Sequence, residues 1–184
     1  MIAPEMMDIR RKVLISKRKT NIIYYKKNLV CTGTNFFDTG FAPFSTANAN
    51  VDFKITFKIN SFEYAGTGTA QDTLFSCKYE GTLSGQQWPG FLIRKKNSTS
   101  TQIFEIGGYN YFNIDIADAL DKEISLWRQN GAWKCKVENG TVQTLNVRVA
   151  TFNQNIIIGS GEQTNGTKFR NAKATFDYFK LEYI

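Results

Sequence analysis

Residues 51 to 59 read VDFKITFKI, and they alternate without a break. Val51, Phe53, Ile55, Phe57 and Ile59 point one way; Asp52, Lys54, Thr56 and Lys58 point the other. A period of two is that of a pleated strand with one face on a core and one toward water, so the spacing predicts an antiparallel, half-buried strand here. A helix would scatter the same residues around its axis. This stretch commits the chain to a sheet.

Two Asn-Gly pairs, at 130–131 and 139–140, extend that commitment. Both central positions of a type I′ turn need positive φ, and Asn-Gly supplies it at least steric cost. Taken literally, the first turn pairs Arg128 with Trp133, Leu126 with Cys135 and Ile124 with Val137. The second pairs Val137 with Val142 and Cys135 with Thr144. Ile124, Leu126, Cys135, Val137 and Val142 then share the core face, which makes Cys135 an inert core thiol. Lys134, Lys136 and Glu138 face outward. Arg128 opposite Trp133 is either a cation–π contact or two neighbours at a sheet end.

Further strands are expected at 73–79, 90–95, 101–106, 154–158 and 173–183, separated by clusters rich in Gly, Asn, Ser and Thr. In the last strand the apolar phase moves from Ala174, Phe176 and Tyr178 to Phe179, Leu181 and Tyr183. Either a bulge intervenes or both faces are covered. Only residues 116–123, IADALDKE, suggest a helical turn. Many short strands without a helical period mean an all-β sandwich or barrel.

Charge divides the 184 residues unevenly. Arg10, Arg11, Lys12, Lys17, Arg18, Lys19, Lys26 and Lys27 oppose only Glu5 and Asp8 in the first 27 residues, whereas the remainder is nearly neutral. We therefore expect a basic N-terminal arm, residues 1–28, before a body at 29–184. The arm reads as a short helix beginning near Pro4, as two edge strands (KVLIS and NIIYY), or as an extended segment. Such an arm suits an acidic partner.

The chain has no histidine, which removes Ser-His and Cys-His catalysis and histidine metal sites. Its three cysteines, Cys31, Cys77 and Cys135, lack metal-ligand spacing and fit a reducing compartment. No apolar run approaches a membrane span or the core of a signal sequence, so no membrane partner and no secretion through an N-terminal leader are expected. Asn113, Asp115, Asp118 and Asp121 form an oxygen-rich group that is read as a polar loop rather than a calcium site. No metal and no cofactor are expected.

Asp38-Thr39-Gly40, after Phe36 and Phe37, has the form in which aspartic proteases present a carboxylate. Here Phe41 follows where such enzymes usually place a small residue, and no second Asp-Thr-Gly or Asp-Ser-Gly exists for another lobe. We read the segment as a turn in which Asp38 bonds the backbone and Gly40 takes the unusual dihedral, with one phenylalanine packed inward. No catalytic residue is assigned.

Three segments carry a resemblance to a known family: LVCTGTNFFDTGFAPFSTANANVDFKITFKI, ISLWRQNGAWKCKVENGTVQTL and IIIGSGEQTNGTKFRNAKATFDYFKLEYI. In this order and spacing they resemble the concanavalin A-like lectin/glucanase superfamily, and its laminin-G-like jelly rolls in particular, over residues 29–184. The resemblance implies an antiparallel jelly-roll β-sandwich that binds glycans, mediates adhesion or serves as a non-catalytic part of a larger protein. Versions with this opening look like those common in phages and gut bacteria. The glucanase branch carries an E-x-D-x-x-E or E-x-D-x-E strand, which FEIGG at 104–108 and NIDIAD at 113–118 do not supply.

These readings lead to a non-enzymatic virion structural protein, a phage capsid auxiliary or decoration protein assembled in the host cytoplasm. Its arm would anchor the jelly roll on the capsid lattice. The alternative is a lectin-like module attaching to host or mucosal carbohydrate, with Trp88, Tyr109 and Tyr111 as candidate sugar-stacking residues. Nucleic acid is not expected as a partner, because basic and aromatic residues do not interleave along the body.

Overall fold

The computed structural model describes residues 21–63, 72–79, 81–87, 89–95, 104–108, 110–112, 114, 119–162, 168–169 and 171–184. Among them, twelve strands form two six-stranded antiparallel sheets. The first sheet has the order β1 (Ile22–Thr32), β16 (Lys173–Tyr183), β3 (Phe53–Glu63), β10 (Glu123–Gln129), β11 (Ala132–Val137), β12 (Gln143–Leu145). The second runs β2 (Phe37–Asp38), β13 (Ile157–Ile158), β4 (Asp72–Lys78), β7 (Gly90–Lys95), β8 (Phe104–Ile106), β9 (Asn110–Phe112). Two short ribbons, β5 (Thr82–Leu83) with β6 (Gln86–Gln87) and β14 (Gly161–Glu162) with β15 (Lys168–Phe169), decorate the loops. The chain is an all-β jelly-roll sandwich.

The alternation at 51–59 does what its period demands. Phe53, Ile55, Phe57 and Ile59 are fully buried, while Lys54 and Lys58 lie half-buried on the outer face. Phe57 is the hinge of the core. Its ring meets Phe75 of the second sheet edge-on at 5.0 Å and lies parallel to Phe179 at 6.2 Å, and Phe75 meets Phe179 at 5.1 Å. Trp133 makes a second seam, 5.6 Å from Phe91 and 5.8 Å from Phe53. Aromatic pairs at these separations add to what their buried area contributes.

The β10–β11 hairpin has the predicted register, with Arg128 opposite Trp133, Leu126 opposite Cys135 and Ile124 opposite Val137. Its turn places Asn130 and Gly131 at φ 51° and 77°. The second hairpin differs by one residue. Cys135 faces Gln143 rather than Thr144, and Val142, expected in the core, is 44% exposed. The cause lies at Glu138. Its N–H is held by the Glu123 carbonyl at 2.7 Å, so the chain turns early and Gly140 N–H closes on the Val137 carbonyl at 2.8 Å. Glu138, not Asn139, then takes positive φ.

The phase change in the last strand is an irregularity. Pairing of β16 with β3 shifts between Thr175 and Phe176 and again between Phe176 and Tyr178. Phe176 and Phe179, three residues apart, thereby both reach the core, and Tyr178 is turned outward. The expected boundary at 28/29 also moves. β1 begins at Ile22 and pairs along β16 as far as Lys173, so residues 22–28 belong to the sandwich. Tyr24 packs edge-on against Phe179 at 6.2 Å. Of the alternatives for this stretch, the strand reading holds for NIIYY; residues 1–20, with KVLIS, lie outside the described residues.

Because Phe57 contacts both sheets, truncating it leaves a cavity that neither sheet can fill alone. Phe57→Ala is expected to cost about 3–5 kcal/mol in a denaturant titration. A loss below about 1 kcal/mol would show that the seam is not the main joint.

Candidate functional site

The Asp-Thr-Gly segment is structural. Asp38 Oδ1 accepts from Gly40 N–H at 2.8 Å, Oδ2 accepts from Asn155 Nδ2 at 3.2 Å, and Gly40 sits at φ 70°. Thr39 Oγ1 donates to the Ile156 carbonyl at 3.0 Å. The carboxylate is engaged in shaping this turn, and Phe37 packs against the core while Phe36 is exposed. The cysteines are equally inert. All three are buried thiols, Cys77 Sγ donates to the Gln154 carbonyl at 3.2 Å, and desolvation pushes the Cys31 thiol up to about 11 and that of Cys135 up to about 12. Arg128 lies opposite Trp133, yet its guanidinium stands over Phe53 at 5.2 Å and Phe44 at 5.8 Å. It also donates to the Asn48 carbonyl at 2.8 Å and to that of Val51. It serves the core.

The outward sides of the two sheets differ. On the second sheet, Leu74, Ser76, Leu92 and Glu105 are buried although they alternate with the core residues. Lys78 and Glu105 form an ion pair at 2.8 Å there, with side chains 7% and 4% exposed. Tyr111, directly across from Glu105, is half-buried on that side. Trp88 and Tyr109 lie outside the described residues, as do Asn113, Asp115 and Asp118. Among the described residues, no group of three or more His, Cys, Asp or Glu side chains is placed to hold a metal.

The first sheet presents a different face. Strand pairing lines its outward residues into three rows. One runs Glu182, Lys54, Trp127, Lys134, Thr144. The next runs Tyr25, Lys180, Thr56, Ser125, Lys136. The third runs Lys27, Tyr178, Lys58, Glu123. At the β1–β16 end these rows enclose a shallow depression of about 450 Å³, lined by Tyr25, Lys54, Thr56, Glu123, Tyr178, Lys180 and Glu182 with Ile22 at its margin. Tyr25 is 48% exposed.

Both carboxylates in the depression are held in place. Tyr178 donates its hydroxyl to Glu123 Oε2, and Lys180 Nζ lies 2.6 Å from Glu182 Oε2. Partial burial, then the Glu123 hydrogen bond, then the negative charges of Glu123 and Asp177 raise the Tyr178 phenol well above the usual tyrosine range. The site thus offers an exposed aromatic ring, two oriented acceptors and lysine donors.

None of these depression residues was singled out in the sequence. Tyr25 belonged to the expected arm, and Tyr178 stood in a strand of uncertain phase. Of the basic residues assigned to the arm, Lys26 and Lys27 are exposed on β1 and Arg10, Arg11, Lys12, Lys17, Arg18 and Lys19 lie outside the described residues. The structure does not bring Tyr111 to the depression, because the two lie on different sheets.

No family model and no curated protein matches the chain. Among solved structures, it is similar to the CBM40 module of a Ruminococcus gnavus IT-sialidase bound to α2,6-sialyllactose. That match has 15% identity over 88% of this chain and 92% of the other, with a TM-score of 0.49. It is also similar to a NanB sialidase mutant from Streptococcus pneumoniae, at 11% identity, 89% of this chain and a TM-score of 0.49. This chain spans only 27% of that protein. A prokaryotic β-1,3-1,4-glucanase (lichenase) from a mouse hindgut metagenome aligns at 14% identity over 82% of this chain and 69% of its own, with a TM-score of 0.43. All three scores fall below 0.5; the fold stated above rests on this chain's own strand order and register.

The Tyr178–Glu123 bond has a consequence in pH. In the unfolded chain the phenol ionises near its ordinary value of 10.0, whereas in the fold it stays protonated beyond that. Its contribution is therefore complete below pH 10 and is lost as pH rises through the folded value. Glu123→Gln is expected to move the Tyr178 ionisation to lower pH in an ultraviolet titration and to flatten the loss of stability above pH 10. An unchanged titration would mean that the bond does not persist in solution.

Proposed function

We propose that this domain is a non-catalytic carbohydrate-binding module whose ligand lies in the depression on the first sheet. The observation that carries this reading is the exposed Tyr25 ring beside Glu123 and Glu182, each already held by a protein partner. A sugar ring has an apolar C–H face that stacks on an aromatic ring and an edge of vicinal hydroxyls that donate to carboxylates. Acceptors fixed in advance lose less entropy when the ligand arrives.

The same geometry speaks against hydrolysis in the depression. Glycoside hydrolysis uses a pair of carboxyl groups poised on either side of the scissile bond. Glu123 and Glu182 are both engaged by neighbours rather than poised across a gap.

A glycan array probed with the full chain tests the reading. Binding to at least one class of oligosaccharide is expected, and Tyr25→Ala and Glu182→Gln should each weaken it by about tenfold, the equivalent of one good contact. No binding at high protein concentration, or binding indifferent to both changes, would sink it.

Anchoring of the domain on a particle through the basic N-terminal residues is a separate proposal. Exposed Lys26 and Lys27 on β1 lie next to that basic stretch in the chain. Deleting residues 1–20 should abolish particle association while the thermal transition and glycan binding persist. Retained association would refute anchoring.

A further inference from the structure

We infer that the ligand of the first sheet is a linear polyanionic polysaccharide, bound lengthwise across the strands rather than by a terminal sugar. This rests on the carbohydrate-binding reading above and names its ligand class. The outward face carries Lys27, Lys54, Lys58, Lys134, Lys136 and Lys180 against Asp52, Glu123, Glu138, Glu182 and, at the irregularity in β16, Asp177. Of these acids, Glu182 is taken by Lys180 and Glu123 by the Tyr178 hydroxyl. Among the described residues no carboxylate lies at ion-pair distance from Lys27, Lys54, Lys58 or Lys136. These four lysines are the cations that an anionic ligand would meet.

The shape of the face selects a chain. From β1 to β11 the rows cross five adjacent strands, about 19 Å at the usual strand spacing, and the three rows span about 13 Å along the strands. Among the described residues the face is an open sheet with a shallow depression, a shape that suits a chain laid across it. Two aromatic stations serve it. Tyr25 stands at the edge strand, and Trp127 stands between Lys54 and Lys134 about 15 Å away. A polymer resting on both rings brings its acidic groups over the lysines between them. All six cations are lysines, compact point charges that attract carboxylate or sulfate without the two-pronged geometry of arginine.

Affinity electrophoresis of the full chain decides the matter, with polygalacturonate and chondroitin sulfate as carboxylate and sulfate probes. Dextran serves as the neutral polymer, galacturonic acid as the monomer and oligo(dT) as a non-carbohydrate polyanion. Retardation by at least one acidic polysaccharide is expected, with affinity falling about tenfold between about 0.05 M and 0.5 M NaCl, as exposed charges are screened. The two acidic probes show which anion is preferred. The monomer should compete only weakly. Lys54→Gln with Lys136→Gln should weaken binding about tenfold and Trp127→Phe less, each with an unaltered circular-dichroism melt.

Retardation in dextran alone would overturn this inference and leave the carbohydrate-binding reading standing; failure with every carbohydrate would remove both. Tighter binding of oligo(dT) than of either polysaccharide would assign the face to nucleic acid instead. Binding untouched by the double lysine change would place the polyanion elsewhere on the chain and overturn the proposal.

Discussion

Phe57 touches Phe75 across the sandwich and Phe179 within its own sheet, and the rest of the molecule is arranged around that meeting. Most inward strand positions are filled by apolar side chains, so period-two geometry drives the alternate residues outward. Burial of the aromatic seam is the main favourable term, because it removes wide apolar faces from water on both sheets at once. The open face inherits its pattern from this constraint. Lys54 and Lys58 are outside because Phe53, Ile55, Phe57 and Ile59 are inside.

The β16 irregularity shows the dependence most directly. Phe176 and Phe179 both reach the core only because the pairing with β3 slips between them. That slip turns Tyr178 outward beside Lys58, where its hydroxyl meets Glu123 of β10. A core requirement thus creates a feature of the outer face, where the ligand is proposed to lie. Bulges often re-aim a side chain next to a functional site, and this one fits that use.

The second sheet supplies a contrast. Its outward residues include a lysine and a glutamate at 2.8 Å, both nearly excluded from solvent. Desolvation offsets most of the attraction in such a pair, so its net contribution to stability is small, while removal of one partner strands a buried charge. On the first sheet the outward lysines stay half-buried or exposed, in rows that also hold the buried Thr56 and Ser125. Charges that keep their hydration remain available to a ligand.

Much of the fold was legible residue by residue. The alternation at 51–59, Asn130-Gly131 and the turn at Asp38-Thr39-Gly40 are local: a period, a pair of positive dihedrals and a side chain bonding two residues on are properties of a few adjacent residues. The second hairpin was misread by one residue because a bond from Glu138 to a neighbouring strand outweighed the Asn-Gly preference. The proposed binding face was legible only in pieces: alternation placed Lys54, Lys58, Lys134 and Lys136 outward, but not beside one another. Tyr25, Lys54, Glu123 and Lys180 are scattered over more than 150 positions, and nothing in their immediate sequence says that they meet. The chain by itself determined that strands form, which residues each buries and where most turns fall, since these follow from short-range geometry and hydrophobic period. Only the tertiary structure decided which strands lie side by side. That order, set by packing of the aromatic seam, is what gathers lysines and aromatic rings from five strands onto one surface.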